Sequence, residues 1–219
     1  MPQDRSHWDS VYRRKTPESV SWFQDDPRPS LDALAACGPG HRALIDVGGG
    51  ASRLVDALLT RGWQDLSVLD ISQPALAHAQ ARLGHQAPKV HWIVADLTDW
   101  RPGRSYDIWH DRAVFHFLTS PEQRSAYIAA LRQALRPGGL AILATFALDG
   151  PDKCSGLPVR KYGAPELLAE LGDEFHLLHA FREVHHTPAD VPQPFTWAIF
   201  QRADRRAPDQ APPFPPARG

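Results

Sequence analysis

The segment Ala43-Leu44-Ile45-Asp46-Val47-Gly48-Gly49-Gly50 constrains this chain more than any other. The run from Ala43 to Val47, apolar but for one acid, suits a strand buried on both faces of a sheet. Three glycines stop it, and glycine lets a backbone turn tightly and approach a ligand with no Cβ in the way. Directly beyond, Leu54, Val55, Leu58 and Leu59 recur at helical spacing between Ser52 and Arg61. A strand that runs through a tight turn into a helix is one half of a parallel crossover.

The alternation then repeats. Leu66 to Leu69 reads as a second strand ending in Asp70, and Pro74 to Leu83 as a helix with Ser72 as its N-cap and Pro74 in its first turn. Val90 to Val94 is a third strand ending near Asp96, and Tyr106 to Trp109 a fourth. Pro121 to Leu135 is a long amphipathic helix after Ser120, ended by Arg136-Pro137-Gly138-Gly139, and Leu140 to Phe146 is a fifth strand. Strands alternating with helices predict a doubly wound α/β fold with a mostly parallel sheet. The C-terminal part differs. After a short helix at 165–171, the strand-like runs 174–184 and 195–202 are joined by a segment holding Pro188, Pro192 and Pro194, with no room for a crossover helix. They are expected to form an antiparallel β-hairpin.

Three regions follow from this reading: an aromatic leader over 1–30, a main domain over 31–203 opening with a short helix at 31–37 closed by Gly38-Pro39-Gly40, and a Pro-rich tail over 204–219. The leader carries Trp8, Tyr12, Trp22 and Phe23, too many large rings for a solvated arm, and is expected to dock on the domain. The tail holds little core material and is expected to be disordered, its Pro212 and Pro215 solvated rather than a ligand motif. With a formal charge of −1, no global basic field draws nucleic acid or an anionic membrane, so neither is expected as a partner. Cys37 and Cys154 are too few for a disulfide framework, and the absence of an apolar leader points to the cytoplasm. A monomer or weak dimer is expected. No Cys/His spacing suits zinc, and the neighbours His185 and His186 would point to opposite faces of a strand, so no metal is expected.

Open α/β sheets bind ligands at the carboxyl ends of their strands, where strand order reverses. Asp46 stands among the glycines there, badly placed for a pyrophosphate but well placed for an ammonium group. Asp70, 24 positions on, suits a pair of ribose hydroxyls, and Asp96 suits an adenine amino group that Leu97 would cover. Acids at three consecutive strand ends, beside a glycine loop, form a pattern that a nucleoside explains.

These features together resemble the class I S-adenosylmethionine-dependent methyltransferases. The acid and glycine loop match in Asp46-Val47-Gly48-Gly49-Gly50, the acidic second-strand end in Leu69-Asp70-Ile71-Ser72, the adenine-side acid in Asp96, the fourth-strand motif in Tyr106-Asp107-Ile108-Trp109-His110-Asp111, and the turn into the fifth strand in Pro137-Gly138-Gly139. Ser52 stands where the family loop often has another glycine. The resemblance implies a seven-stranded sheet ending in the hairpin, S-adenosyl-L-methionine as cofactor, and cofactor contacts from Asp46, Gly48, Gly49, Gly50, Asp70, Ile71, Asp96, Leu97 and His110. It further implies that the stretch after the fourth strand borders the transferred methyl. Asp111 and His116 are then the candidate catalytic residues, while Trp8, Tyr12, Trp22, Arg112, Cys154 and Tyr162 are candidates for the substrate wall or lid. The acceptor is expected to be a small molecule or a protein side chain. Two rivals use the same fold. One is an NAD(P)-dependent oxidoreductase, opposed by Arg53 at the third fingerprint glycine; the other is a non-catalytic S-adenosylmethionine-binding module, opposed by the intact set of acids.

Overall fold

The computed structural model describes residues 5–37 and 42–204. The chain runs through α1 (Arg5–Arg14), α2 (Arg28–Ala36), β1 (Leu44–Val47), α3 (Leu54–Thr60), β2 (Leu66–Asp70), α4 (Gln73–Leu83), β3 (Val90–Val94), β4 (Tyr106–Arg112), α5 (Pro121–Ala134), β5 (Leu135–Phe146), the two-residue strands β6 (Lys153–Cys154) and β7 (Leu157–Pro158), α6 (Ala164–Leu171), β8 (Phe175–His186) and β9 (Pro192–Arg202). The main sheet has seven strands in the order β3-β2-β1-β4-β5-β9-β8. Pairing is parallel from β3 to β5 and antiparallel at β5–β9 and β9–β8, as the doubly wound reading with a terminal hairpin requires.

Local chemistry explains most element ends. Ser72 accepts from the Ala75 amide to cap α4, and Ser120 and Gln123 form a reciprocal capping box on α5. Burial sets the layers. Tyr127, Ile128 and Leu131 of α5 and Leu167 and Leu171 of α6 pack on one face of the sheet, against Trp109 and Leu143. Leu31 and Leu34 of α2, Leu54 and Leu58 of α3 and Leu76 of α4 cover the other face, against Leu44, Val68 and Ile142. The central strands β1 and β2 are buried on both sides, which is why they read as near-continuous apolar runs.

Several boundaries differ from the sequence reading. The fourth strand continues from Trp109 to Arg112, because His110, Asp111 and Arg112 keep pairing with Ile142, Leu143 and Ala144 of β5. The first helix of the main domain starts at Arg28 rather than at 31. In the leader, the sequence reading named no helix where α1 stands; its mean hydropathy is low, and it packs against α4. The 150–162 stretch contains the small β6–β7 hairpin, turned by Ser155 and Gly156 at positive φ. The Gly38-Pro39-Gly40 stop, and the tail reading from residue 205 onward, lie outside the described residues.

Candidate active site

Strand order reverses between β2 and β4, the two neighbours of β1, and the ligand end of the sheet lies there. Two adjoining cavities open at that point and share Tyr12, Trp22 and Gly48 in their walls. The first runs past Asp70 and Ile71 to Ala95, Asp96, Leu97 and Thr98 on one flank, and past Ala113, Val114, Phe117 and Cys154 on the other. The second is walled by Asp46, Gly49, Ser52, His110, Arg112, Ser30 and Gln24. Asp46, Asp70 and Asp96 therefore border one continuous hollow, at the ends of three strands that are neighbours in the sheet.

The glycine loop is shaped by what packs on it. Gly48 has φ +65°, and a Cβ there would stand 2.0 Å from Val114 Cγ2. Gly50 has φ +44°, and its Cβ would meet Asp70 Oδ2 at 2.9 Å. Glycine at these two positions lets the β4 loop and the second-strand acid close onto the backbone. Gly48→Ala is accordingly expected to cost at least about 1–2 kcal/mol from the left-handed backbone alone, with further loss as Val114 is pushed into the cavity. Chemical denaturation checks this, and an unchanged midpoint would remove Gly48 from the wall.

Each acid is held by fixed donors. Asp46 Oδ1 accepts from His110 Nδ1 at 2.7 Å, and His110 Nε2 lies 3.1 Å from Ser30 Oγ. His110 is thus aimed by an acid and a hydroxyl, a constellation whose Ser30 member carries no signature in the sequence. Asp70 Oδ1 accepts from the Ser72 amide at 2.7 Å, yet its pKa is pushed up to about 7. Burial is the largest cause, opposed by the Ser72 amide and reinforced by the charges of Asp46 and Asp9. Asp96 Oδ1 accepts from both the amide and the hydroxyl of Thr98, which stiffens the turn after β3.

Leader residues line both cavities. Trp22 Nε1 donates to Tyr12 Oη at 3.1 Å, and Trp8 meets Trp22 edge-on at 5.6 Å and Phe117 at 5.1 Å. The leader is tied down by Arg112 Nη1 to Trp22 O, His185 Nε2 to Ser21 O and Gln24 Nε2 to Glu183 Oε1. The Nε and Nη2 of Arg112 are buried without a hydrogen-bond partner, and its guanidinium lies over the Phe195 ring at 5.0 Å.

Three residues read from the sequence as site members lie elsewhere. Asp111 is fully buried on the opposite face of β4 from His110 and Arg112, because side chains alternate along a strand. Its Oδ1 accepts from the Val114 amide at 2.8 Å, and its Oδ2 accepts from the Phe115 amide at 3.1 Å and from Tyr127 Oη at 2.7 Å. Asp111 therefore faces α5 and braces the loop that forms the cavity wall; it does not reach the cavity. His116 is equally sealed, between Phe117 and Phe146, with Nδ1 accepting from the Phe146 amide. Burial and the nearby Arg112 charge pull its pKa down to about 3, so it stays neutral and cannot act as a base toward the cavity. Tyr162 packs against Phe115 in the core rather than on the wall. Conversely Val114, Phe117, Thr98 and Gln24 line the hollow without having been singled out, since ordinary apolar and amide residues carry no chemical signature. Among the described residues no group of three or more His, Cys, Asp or Glu could hold a metal ion, and no helix is long and apolar enough to cross a membrane.

Comparison with known proteins agrees with this geometry. The family described as a methyltransferase domain matches residues 44–139. The tRNA U34 carboxymethyltransferase of Shewanella oneidensis is 26% identical over 144 residues, which are 65% of this chain and 41% of that protein. This chain thus spans about two-fifths of the length of such relatives. A structure solved in work on conversion of a disulfide bond into a thioacetal group during echinomycin biosynthesis superposes with a TM-score of 0.75 at 21% identity, covering 92% of this chain and 94% of that one. The 1,6-didemethyltoxoflavin-N1-methyltransferase of Burkholderia thailandensis, solved with 1,6-didemethyltoxoflavin and S-adenosylhomocysteine, has a TM-score of 0.70 at 22% identity, covering 91% and 87%. The matched domain spans β1 to the turn into β5, and over that stretch the chain is similar to S-adenosylmethionine-dependent methyltransferases.

Proposed function

We propose that this protein is an S-adenosylmethionine-dependent methyltransferase acting on a small molecule. The observation that carries the reading is the continuous hollow bordered by Asp46, Asp70 and Asp96 with Gly48 at its centre. The donor set fits the cofactor. Asp70 accepts from two ribose hydroxyls, Asp96 from the adenine amino group with Leu97 and Ile71 against the ring, and Asp46, aimed by His110, faces the ammonium group. Gly48 and Gly49 let the backbone approach, and Gly50 leaves room for Asp70. The buried, unpartnered Nε and Nη2 of Arg112 at the second cavity suit an anionic group there. When bound, the cofactor supplies an electrophilic methyl group on a sulfonium. The chain's own part is to hold both reactants in line and exclude water, which Trp8, Tyr12 and Trp22 of the leader do as a lid.

An acceptor of protein or nucleic-acid size would have to pass this leader. The expectation that nucleic acid is not the acceptor draws no support from the relatives, since several of them are named for tRNA. What favours a small molecule is the enclosure of the hollow by the leader and the β6–β7 hairpin, joined where His7 Nε2 meets Ser155 Oγ at 3.2 Å. Calorimetric titration with S-adenosylmethionine, S-adenosylhomocysteine and NAD tests the reading. Binding of the first two without the third is the expected result, and binding of NAD alone would overturn it.

A further inference from the structure

The first cavity has two flanks of different chemistry. Its charged side chains, Asp70 and Asp96, stand at the ends of β2 and β3. The other flank is built by residues after β4 and β5 together with the leader: Trp8, Trp22, Ala113, Val114, Phe117 and Cys154. Among the described residues, no side chain lining that flank is able to take up a proton from a substrate near neutral pH. Asp111 and His116, in the stretch after β4, are sealed in the core by their own partners, while His7 and Asp9, which flank Trp8, are not among the lining residues and meet Ser155 Oγ and Ser72 Oγ. Burial pushes the Cys154 thiol up to about 12 and raises the Tyr12 hydroxyl further, so both stay protonated. Trp22 Nε1 is already spent on Tyr12. The wall is therefore aromatic and apolar, and its described side chains offer no base.

From the wall chemistry we infer that the acceptor is a small, flat aromatic or heteroaromatic molecule whose reacting atom needs no deprotonation at the site, such as an aromatic thiolate or a pyridine-type ring nitrogen. This rests on the methyltransferase reading and names its substrate class. Two physical arguments support it. Ring faces at Trp8, Trp22 and Phe117, set edge-on to one another, offer aromatic contact worth more than apolar burial alone. An alkylamine, by contrast, arrives protonated, with about one molecule in a thousand neutral near pH 7.4. It would have to shed its proton into an apolar wall. For the favoured class the step balances without the protein. The acceptor's lone pair forms the bond to the methyl carbon, the carbon–sulfur bond of the sulfonium breaks with its pair remaining on sulfur, and no proton is left to remove.

The test uses the full chain with S-adenosylmethionine, after titration has established that the cofactor binds. Thiophenol and quinoline are offered beside n-butylamine, a lysine-containing peptide and bulk tRNA, and methyl transfer is followed by mass spectrometry. Turnover of an aromatic probe with kcat/KM at least about 100-fold above that of butylamine is expected, reflecting the amine's protonation. Trp8→Leu keeps an apolar side chain but removes a ring face. It is expected to raise KM for the aromatic probe about tenfold, with a smaller change in KM for butylamine, which has no ring to lose contact with. Faster methylation of butylamine, peptide or tRNA than of either aromatic probe overturns the inference and leaves the methyltransferase reading standing, as does failure of both aromatic probes with cofactor bound. Failure of the cofactor to bind overturns both.

Discussion

Replacing Asp70 by Asn is expected to weaken S-adenosylmethionine binding by about 10- to 100-fold at pH 8, the loss of charge-assisted hydrogen bonds of roughly 1.5–3 kcal/mol. It should also abolish a pH dependence that the native protein shows near neutrality. The buried carboxyl has its pKa pushed up to about 7, chiefly by desolvation, so in the free protein it is largely protonated in mild acid. Ribose hydroxyls donate best to the ionised form. Affinity should therefore fall as pH drops below about 7, by up to tenfold per unit, and binding near neutrality should release a proton. The same shift acts on stability with the opposite slope. The folded pKa lies above the unfolded value of about 3.9, so the native state keeps its proton longer and loses stability as pH rises from about 4 to about 7. Calorimetry in two buffers of different ionisation enthalpy measures the released proton. A pH slope that persists in Asp70→Asn would assign it to another group.

Asp111→Ala is expected to lower stability by about 3–5 kcal/mol, because the Val114 and Phe115 amides and the Tyr127 hydroxyl all lose a buried acceptor. At this chain length that is a fall of about 6–20 °C in Tm. Asp111→Asn should cost less, about 1–3 kcal/mol, since its NH2 must face at least one of those donors. The carboxyl's pKa is pushed up to about 6 by burial, against the pull of Tyr127, Val114, His110 and Phe115. Its contribution to stability accordingly falls as pH rises from about 4 to about 6, and the Asn variant should lack that slope. Turnover at saturating substrate in the folded Asn variant should stay within about threefold of native, as expected for a residue outside the transition-state contacts. A stable Asn variant with a large loss in kcat would return Asp111 to the catalytic site.

The architecture was legible because its signals are local and periodic. Apolar runs ending in Asp46, Asp70 and near Asp96, helices capped by Ser72 and Ser120, and a proline-bearing link between the last two strands fix a doubly wound sheet with a hairpin before any contact is known. Glycine at 48–50 marks the ligand end, because no other residue accepts Val114 and Asp70 packed so closely on that backbone. What the sequence by itself determined is thus the fold, its ligand end and the acids that stand there.

Tertiary structure alone decided which polar residues face the ligand. His110, Asp111, Arg112 and His116 lie within seven positions and look equally available for chemistry. Parallel pairing to β5 extends β4 through Arg112, and strand alternation sends His110 and Arg112 to one face and Asp111 to the other. The 3₁₀ turn after it, Phe115–Phe117, then seals His116 among aromatic rings. Ser30 and Gln24 reach the hollow from distant segments, carried there by the packing of the leader and α2. Side-chain direction depends on where a strand stops pairing and on what covers each face of the sheet, and both are set by contacts between residues far apart in the chain.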